Sequence, residues 1–78
     1  MKQYKVGQNL KVIKDFVLYD SEQQPVNIYA GDRYDVVYIE DYPETGCTYF
    51  ELYNSDRNIT AYLWNHEDGP RFVDEYFT

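Results

Sequence analysis

Tyr49-Phe50-Glu51-Leu52-Tyr53-Asn54-Ser55-Asp56-Arg57-Asn58-Ile59-Thr60-Ala61-Tyr62-Leu63-Trp64 is the stretch on which the fold turns. Two runs of alternating apolar and polar residues flank four turn-forming ones. Period-two alternation is the mark of a strand with one buried face, and four residues is a common hairpin loop length. Burial sets the register. Pairing Leu52 with Ala61 puts Phe50 opposite Leu63, so one apolar row faces one way. Slipping by one residue would set Leu52 against Thr60 and turn an apolar row outward. On the other face the same register aligns Tyr49 with Trp64, Glu51 with Tyr62 and Tyr53 with Thr60.

The rest of the chain follows the same period, and no window of helical period competes with it. Leu10, Val12 and Lys14 alternate with Lys11 and Ile13. Val26, Ile28 and Ala30 share a face. Tyr34, Val36 and Tyr38 oppose Asp35, Val37 and Ile39. Turn chemistry separates these runs: Asp20–Pro25, Ala30-Gly31-Asp32, Asp41–Gly46 and Asn65–Pro70 read as loops or turns. Asn58-Ile59-Thr60 is a formal glycosylation sequon that reads as a turn leading into a strand. Five short strands in 78 residues predict an all-β domain spanning 1–78, a small five-stranded antiparallel barrel with residues 1–9 as a basic N-terminal segment. Closure would remove the free strand edges of an open sheet.

The order of these landmarks resembles an SH3-type barrel. Val17-Leu18-Tyr19-Asp20 is similar to the stretch with which SH3 domains enter their first long loop. Val26–Val36, with Gly31-Asp32 at its centre, looks like the diverging turn. The 49–64 hairpin stands where the distal hairpin stands, and Gly69–Phe77 is similar to the closing stretch. The resemblance implies a barrel over residues 12–77. The tandem tryptophans and the closing proline of the family's peptide groove are missing here. Only Tyr19 and Tyr76 match the groove's aromatic positions, with Asp20 and Glu22 for its acidic first loop. The fold is therefore implied more strongly than a proline-rich ligand.

Charge is divided unevenly along the chain. Lys2, Lys5, Lys11 and Lys14 fall in the first fourteen residues, which hold no acid; from Asp15 onward fourteen acids face Arg33, Arg57 and Arg71. A net charge of −7 argues against direct nucleic-acid binding, which requires phosphates to be neutralised by Lys and Arg. It would steer the chain toward basic protein surfaces, or serve only solubility. The lysine-rich head would lie against the acidic body or form a contact of its own. The single cysteine excludes an internal disulfide, and the opening residues lack the basic-then-apolar pattern of a signal peptide, so a cytoplasmic, non-membrane protein is expected.

Two stretches are candidate partner surfaces. Tyr49, Tyr53, Tyr62 and Trp64, with Glu51 among them, would form an outward aromatic patch of the type that dominates interfaces. The bland alternative is that such cross-strand rings only stabilise the hairpin. Tyr38, Glu40, Asp41, Tyr42 and Glu44 place three acids beside two tyrosines, either as a solvated loop or as an imitation of phosphates and bases. Catalysis is not expected. Cys47 and His66 fall in predicted loops with no orienting third group, a filled barrel offers no pocket, and neither a metal-ligand spacing nor a phosphate-binding loop is present. The expected function is a non-catalytic protein-interaction module without a cofactor. The alternative is a small acidic inhibitor, of the kind phages or mobile elements encode, that mimics nucleic acid and blocks a DNA- or RNA-binding protein.

Overall fold

The computed structural model describes residues 3–20 and 22–78. Among them, six strands and one short helix follow in the order β1 (Asn9–Lys11), β2 (Phe16–Tyr19), β3 (Pro25–Ile28), β4 (Arg33–Tyr42), β5 (Cys47–Asn54), β6 (Ile59–His66) and α1 (Phe72–Tyr76). All pairings are antiparallel. A four-stranded sheet has the order β1-β4-β5-β6, and β2-β3 form a separate two-stranded sheet. The expected five-stranded closed barrel is corrected on both counts: the chain makes six strands in two sheets, and they do not close.

The β5–β6 hairpin has the register that burial demanded. Leu52 pairs with Ala61, Phe50 with Leu63, Tyr49 with Trp64, Glu51 with Tyr62 and Tyr53 with Thr60. Asn58 closes the four-residue turn with φ 54°, a left-handed conformation that asparagine tolerates better than most residues. Elsewhere the strands run longer than turn chemistry suggested. β4 continues through Glu40, Asp41 and Tyr42, leaving a turn of only Pro43–Gly46, and β6 continues through His66. Phe16–Tyr19 form β2, which enters the expected loop at Asp20. At Gly31 the expected tight turn forms with φ 95°, where a side chain would be strained.

Leu10, Val12, Ile28, Tyr34, Val36, Phe50, Leu52, Ala61, Leu63, Val73 and Phe77 form one buried cluster between the two sheets. α1 escaped the sequence reading because five residues are too few to show a 3.6-residue period. It is held from outside itself. Arg71, at its N-cap, makes no side-chain cap; instead Asn65 Oδ1 accepts hydrogen bonds from the N–H groups of Val73 (2.9 Å) and Asp74 (3.4 Å). The chain end then returns to β1: Lys11 and Thr78 exchange two backbone hydrogen bonds at 2.9 Å.

Among the described residues the basic head meets acids of the body, Asn9 Nδ2 donating to Asp35 Oδ1 at 2.9 Å. Tyr4 donates its hydroxyl proton to Asp74, and Lys14 pairs with Glu75 at 3.1 Å. The latter pair is half-exposed, so it contributes only about 0–1 kcal/mol. Lys2 lies outside the described residues.

Candidate functional site

β4 carries an irregularity that changes which residues share a face. Val36 pairs with Leu52, but the next pair is Tyr38 with Glu51, leaving Val37 as an extra residue. Such a bulge inverts the alternation beyond it. Tyr34 and Val36 are buried, whereas after the bulge Ile39 turns inward opposite Phe50 and Tyr38 turns outward. This corrects the continuous alternation that set Tyr38 on the side of Tyr34 and Val36.

The bulge merges the two candidate surfaces into one. Three cross-strand rows cover the outer face of β4-β5-β6. They are Tyr38–Glu51–Tyr62, then Glu40–Tyr49–Trp64, then Tyr42–Cys47–His66. The rings touch along and across these rows. Tyr49 lies 4.9 Å from Trp64, Tyr42 lies 5.6 Å from Trp64, and Tyr38 meets Tyr49 edge-on at 6.0 Å. Tyr62 at 58% and Tyr38 at 41% exposure leave a wide aromatic area open to solvent.

The acids of this face act as acceptors for its phenols. Tyr49 donates to Glu51 at 3.1 Å, and Tyr42 donates to Glu40. Burial against its neighbours and then the Glu51 carboxylate push the Tyr49 phenol up to about 12. Burial first, then the charge of Glu40, raises Tyr38; the hydrogen bond to Glu40 is the main cause of the rise at Tyr42. A tyrosine whose folded pKa is raised contributes stability below its ordinary pKa near 10, and that contribution is lost as pH rises through the folded value. The urea midpoint of unfolding is therefore expected to fall between pH 10 and 12. Tyr49→Phe should remove part of that slope, and an unchanged slope would contradict the assignment.

Seven of the ten expected surface residues lie in these three rows. Tyr53 is on the same face but beyond them toward the turn, where its hydroxyl donates to Asn58 Oδ1 at 2.8 Å. Asp41 points to the opposite side and accepts from Thr48 Oγ1 at 2.9 Å. Glu44 is exposed in the 43–46 turn.

Cys47 and His66, placed in separate loops by the sequence reading, face each other at the end of β5 and β6. Cys47 Sγ lies 3.0 Å from His66 Nδ1, and Trp64 stacks near the imidazole at 6.5 Å. Which of the two atoms donates depends on the imidazole tautomer. Carrying the hairpin register two pairs past Tyr49 and Trp64 would have found this contact. Among the described residues, no cluster of three or more His, Cys, Asp or Glu is placed to hold a metal ion.

Two hollows open on the surface of the described residues. One, of about 270 Å³, lies between β2, β6 and α1. The other, of about 690 Å³, has a mixed lining that includes Tyr4, Asp41, Cys47, Asn65 and Arg71. Among the described residues no helix is long and apolar enough to cross a membrane. The chain matches no protein-family model, no curated protein and no solved structure, so the reading of this face rests on its geometry.

Proposed function

We propose that the chain is a non-catalytic protein-interaction module whose partner docks on the outer face of β4-β5-β6. The observation that supports this is the single aromatic–acidic surface made by Tyr38, Tyr42, Tyr49, Tyr62 and Trp64 around Glu40 and Glu51. Tyr and Trp bring large contact area with few rotatable bonds, and they are enriched among residues that dominate binding energy. Carboxylates among them favour a partner with a basic surface, as does the net charge of −7.

The triple variant Tyr49→Ala, Tyr62→Ala, Trp64→Ala tests this. Cross-strand pairs contribute only roughly 0.2–1 kcal/mol each, so the variant should keep a folded circular-dichroism spectrum. Hot-spot residues cost about 2 kcal/mol or more when truncated, so partner capture should drop at least about tenfold. Undiminished capture by the folded variant overturns the proposal.

A second reading, an acidic inhibitor that imitates nucleic acid, is favoured by the position of Glu40 and Glu51 on the same face as the rings. It requires that duplex DNA displace the chain from its partner and that binding weaken steeply with salt. Persistence of the complex in excess DNA excludes it.

Kinship with SH3-type barrels belongs to the same proposal. It is supported by the order of landmarks: a hairpin entered at Val17–Tyr19, a turn at Gly31, the 55–58 turn and a closing segment that returns to β1. The open arrangement of two sheets makes that kinship a divergent one. Tyr19 is exposed and Tyr76 stacks on Phe16 at 4.2 Å.

A further inference from the structure

The strand edges of this fold are not treated alike. β1 is three residues long, and its neighbour across the outer edge is the chain end, through the paired Lys11 and Thr78 and the bridge between Val12 and Phe77. β3 has four residues and opens with Pro25. β6 has eight and is the last strand of its sheet. Among the described residues its far end is covered, where Asn65 bridges Arg71 and caps α1, α1 packs against the strand and His66 N–H donates to Pro70 O, while residues 59–64 pair with no strand across the outer edge. Its sequence, Ile59-Thr60-Ala61-Tyr62-Leu63-Trp64-Asn65-His66, holds no Lys, Arg, Asp, Glu or Pro, and its pairing with β5 is unbroken. Natural sheets blunt a free edge with charge, proline, a bulge, a short strand or a covering helix or loop. β6 uses only the last of these, and at its far end, where α1 and the segment before it pack; residues 59–63 carry none of the others.

Beside this edge lies the 270 Å³ hollow. Phe16, half-exposed Val17 and Leu18 of β2, Tyr62, Leu63 and Trp64 of β6, and Phe72 and Tyr76 of α1 line it. Its volume is below the roughly 300–1,000 Å³ of small-molecule sites, which suits individual aliphatic side chains.

We infer that β6 takes up an extended segment of a partner protein as an added strand, with alternating aliphatic and basic residues. This deepens the proposal that the outer face binds a protein. Period two divides the incoming side chains into two rows. The inward row drops into the hollow. The outward row extends the outer face beside Tyr62 and Trp64, where Lys or Arg lies over the rings and within reach of Glu51. Charge selects this occupant over a second copy, because two chains of −7 repel each other whereas a basic segment is attracted.

The probe is a capped peptide of alternating lysine and valine, and the readout is amide hydrogen exchange. The peptide should slow exchange of the Thr60–Trp64 amides that point away from β5. N-methylation of alternate peptide residues should abolish that protection, and Val17→Arg should weaken binding about tenfold by like-charge repulsion. The inference is overturned if these amides stay unprotected, or if a glutamate–valine peptide binds equally well. It is also overturned if protection rises with protein concentration alone, which would identify a second copy, or if a proline-rich peptide fills the hollow without protecting the edge. Tyr38→Ala with Tyr49→Ala lies away from the hollow. If that pair abolishes partner capture while β6 stays unprotected by the peptide, the interaction module stands and strand addition falls.

Discussion

Phe77→Ala is expected to remove a large share of the chain's stability and to lower its Tm by more than about ten degrees. Phe77 is fully buried and touches three parts of the structure. Its ring meets Tyr34 of β4 and Phe16 of β2 edge-on, each at 5.8 Å, and its backbone bridges to Val12 after β1. It is the side chain through which the closing segment holds the four-stranded and the two-stranded sheets together. Truncating a buried Phe to Ala costs about 3–5 kcal/mol, the lost transfer energy plus the cavity left behind. At about 0.05–0.15 kcal/mol per residue, the whole domain is stabilised by roughly 4–12 kcal/mol. The loss is thus a large share of the total in a chain too small to spread it. Thermal denaturation followed by circular dichroism checks this. Phe77→Leu keeps most of the volume and should remain folded; a Tm of Phe77→Ala close to that of the unmodified chain would contradict the role given to this ring.

What the sequence made legible follows the strength of the local signal. The β5–β6 hairpin was readable to the individual pair, because burying Phe50, Leu52, Ala61 and Leu63 together permits one register. The turn at Gly31 and the four-residue turn at 55–58 were readable from equally local signals. The bulge at Val37 was not, since β-branched residues suit either face and nothing in Val36-Val37-Tyr38 marks the extra residue. That one residue decides whether Tyr38, Glu40 and Tyr42 join Tyr49, Glu51, Tyr62 and Trp64. The sequence reading therefore had two candidate patches where the fold has one. Asp41-Tyr42 and Asn65-His66 were read as loop because Pro43 and Gly69-Pro70 stand close by; pairing with β5 overrode that chemistry. The helix was hidden because its cap is a side chain from another element.

That cap carries the second large effect. Asn65→Ala is expected to destabilise the chain by about 2 kcal/mol, since leaving buried donors without partners costs about 1–3 kcal/mol. Asn65 is 8% exposed and works in both directions. Its Oδ1 accepts from the buried N–H of Val73 and from that of Asp74, and its Nδ2 donates to Asp74 Oδ1 at 3.2 Å. Asp74 also accepts from Tyr4 and from Arg71 Nε at 3.0 Å, so β6, α1 and the N-terminal segment meet at one carboxylate. Burial pushes the Asp74 pKa up, but the hydrogen bonds from Tyr4, Arg71 and Asn65 and the charge of Arg71 outweigh it, and the net shift is downward. A carboxylate held below its unfolded value contributes stability above that value and loses it as pH falls through the folded pKa. Urea unfolding should therefore show stability falling below about pH 4, the ordinary aspartate range. Asp74→Asn should flatten that acid slope, because the amide no longer titrates. Asn65→Ala should lower the midpoint at every pH, since the amides of Val73 and Asp74 lose their acceptor whatever the charge of Asp74. If Asn65→Ala unfolds at the same urea concentration as the unmodified chain, α1 is held by its apolar contacts alone. The capping role of Asn65 then fails, and with it the account of how β6 positions Phe72 and Tyr76 at the hollow.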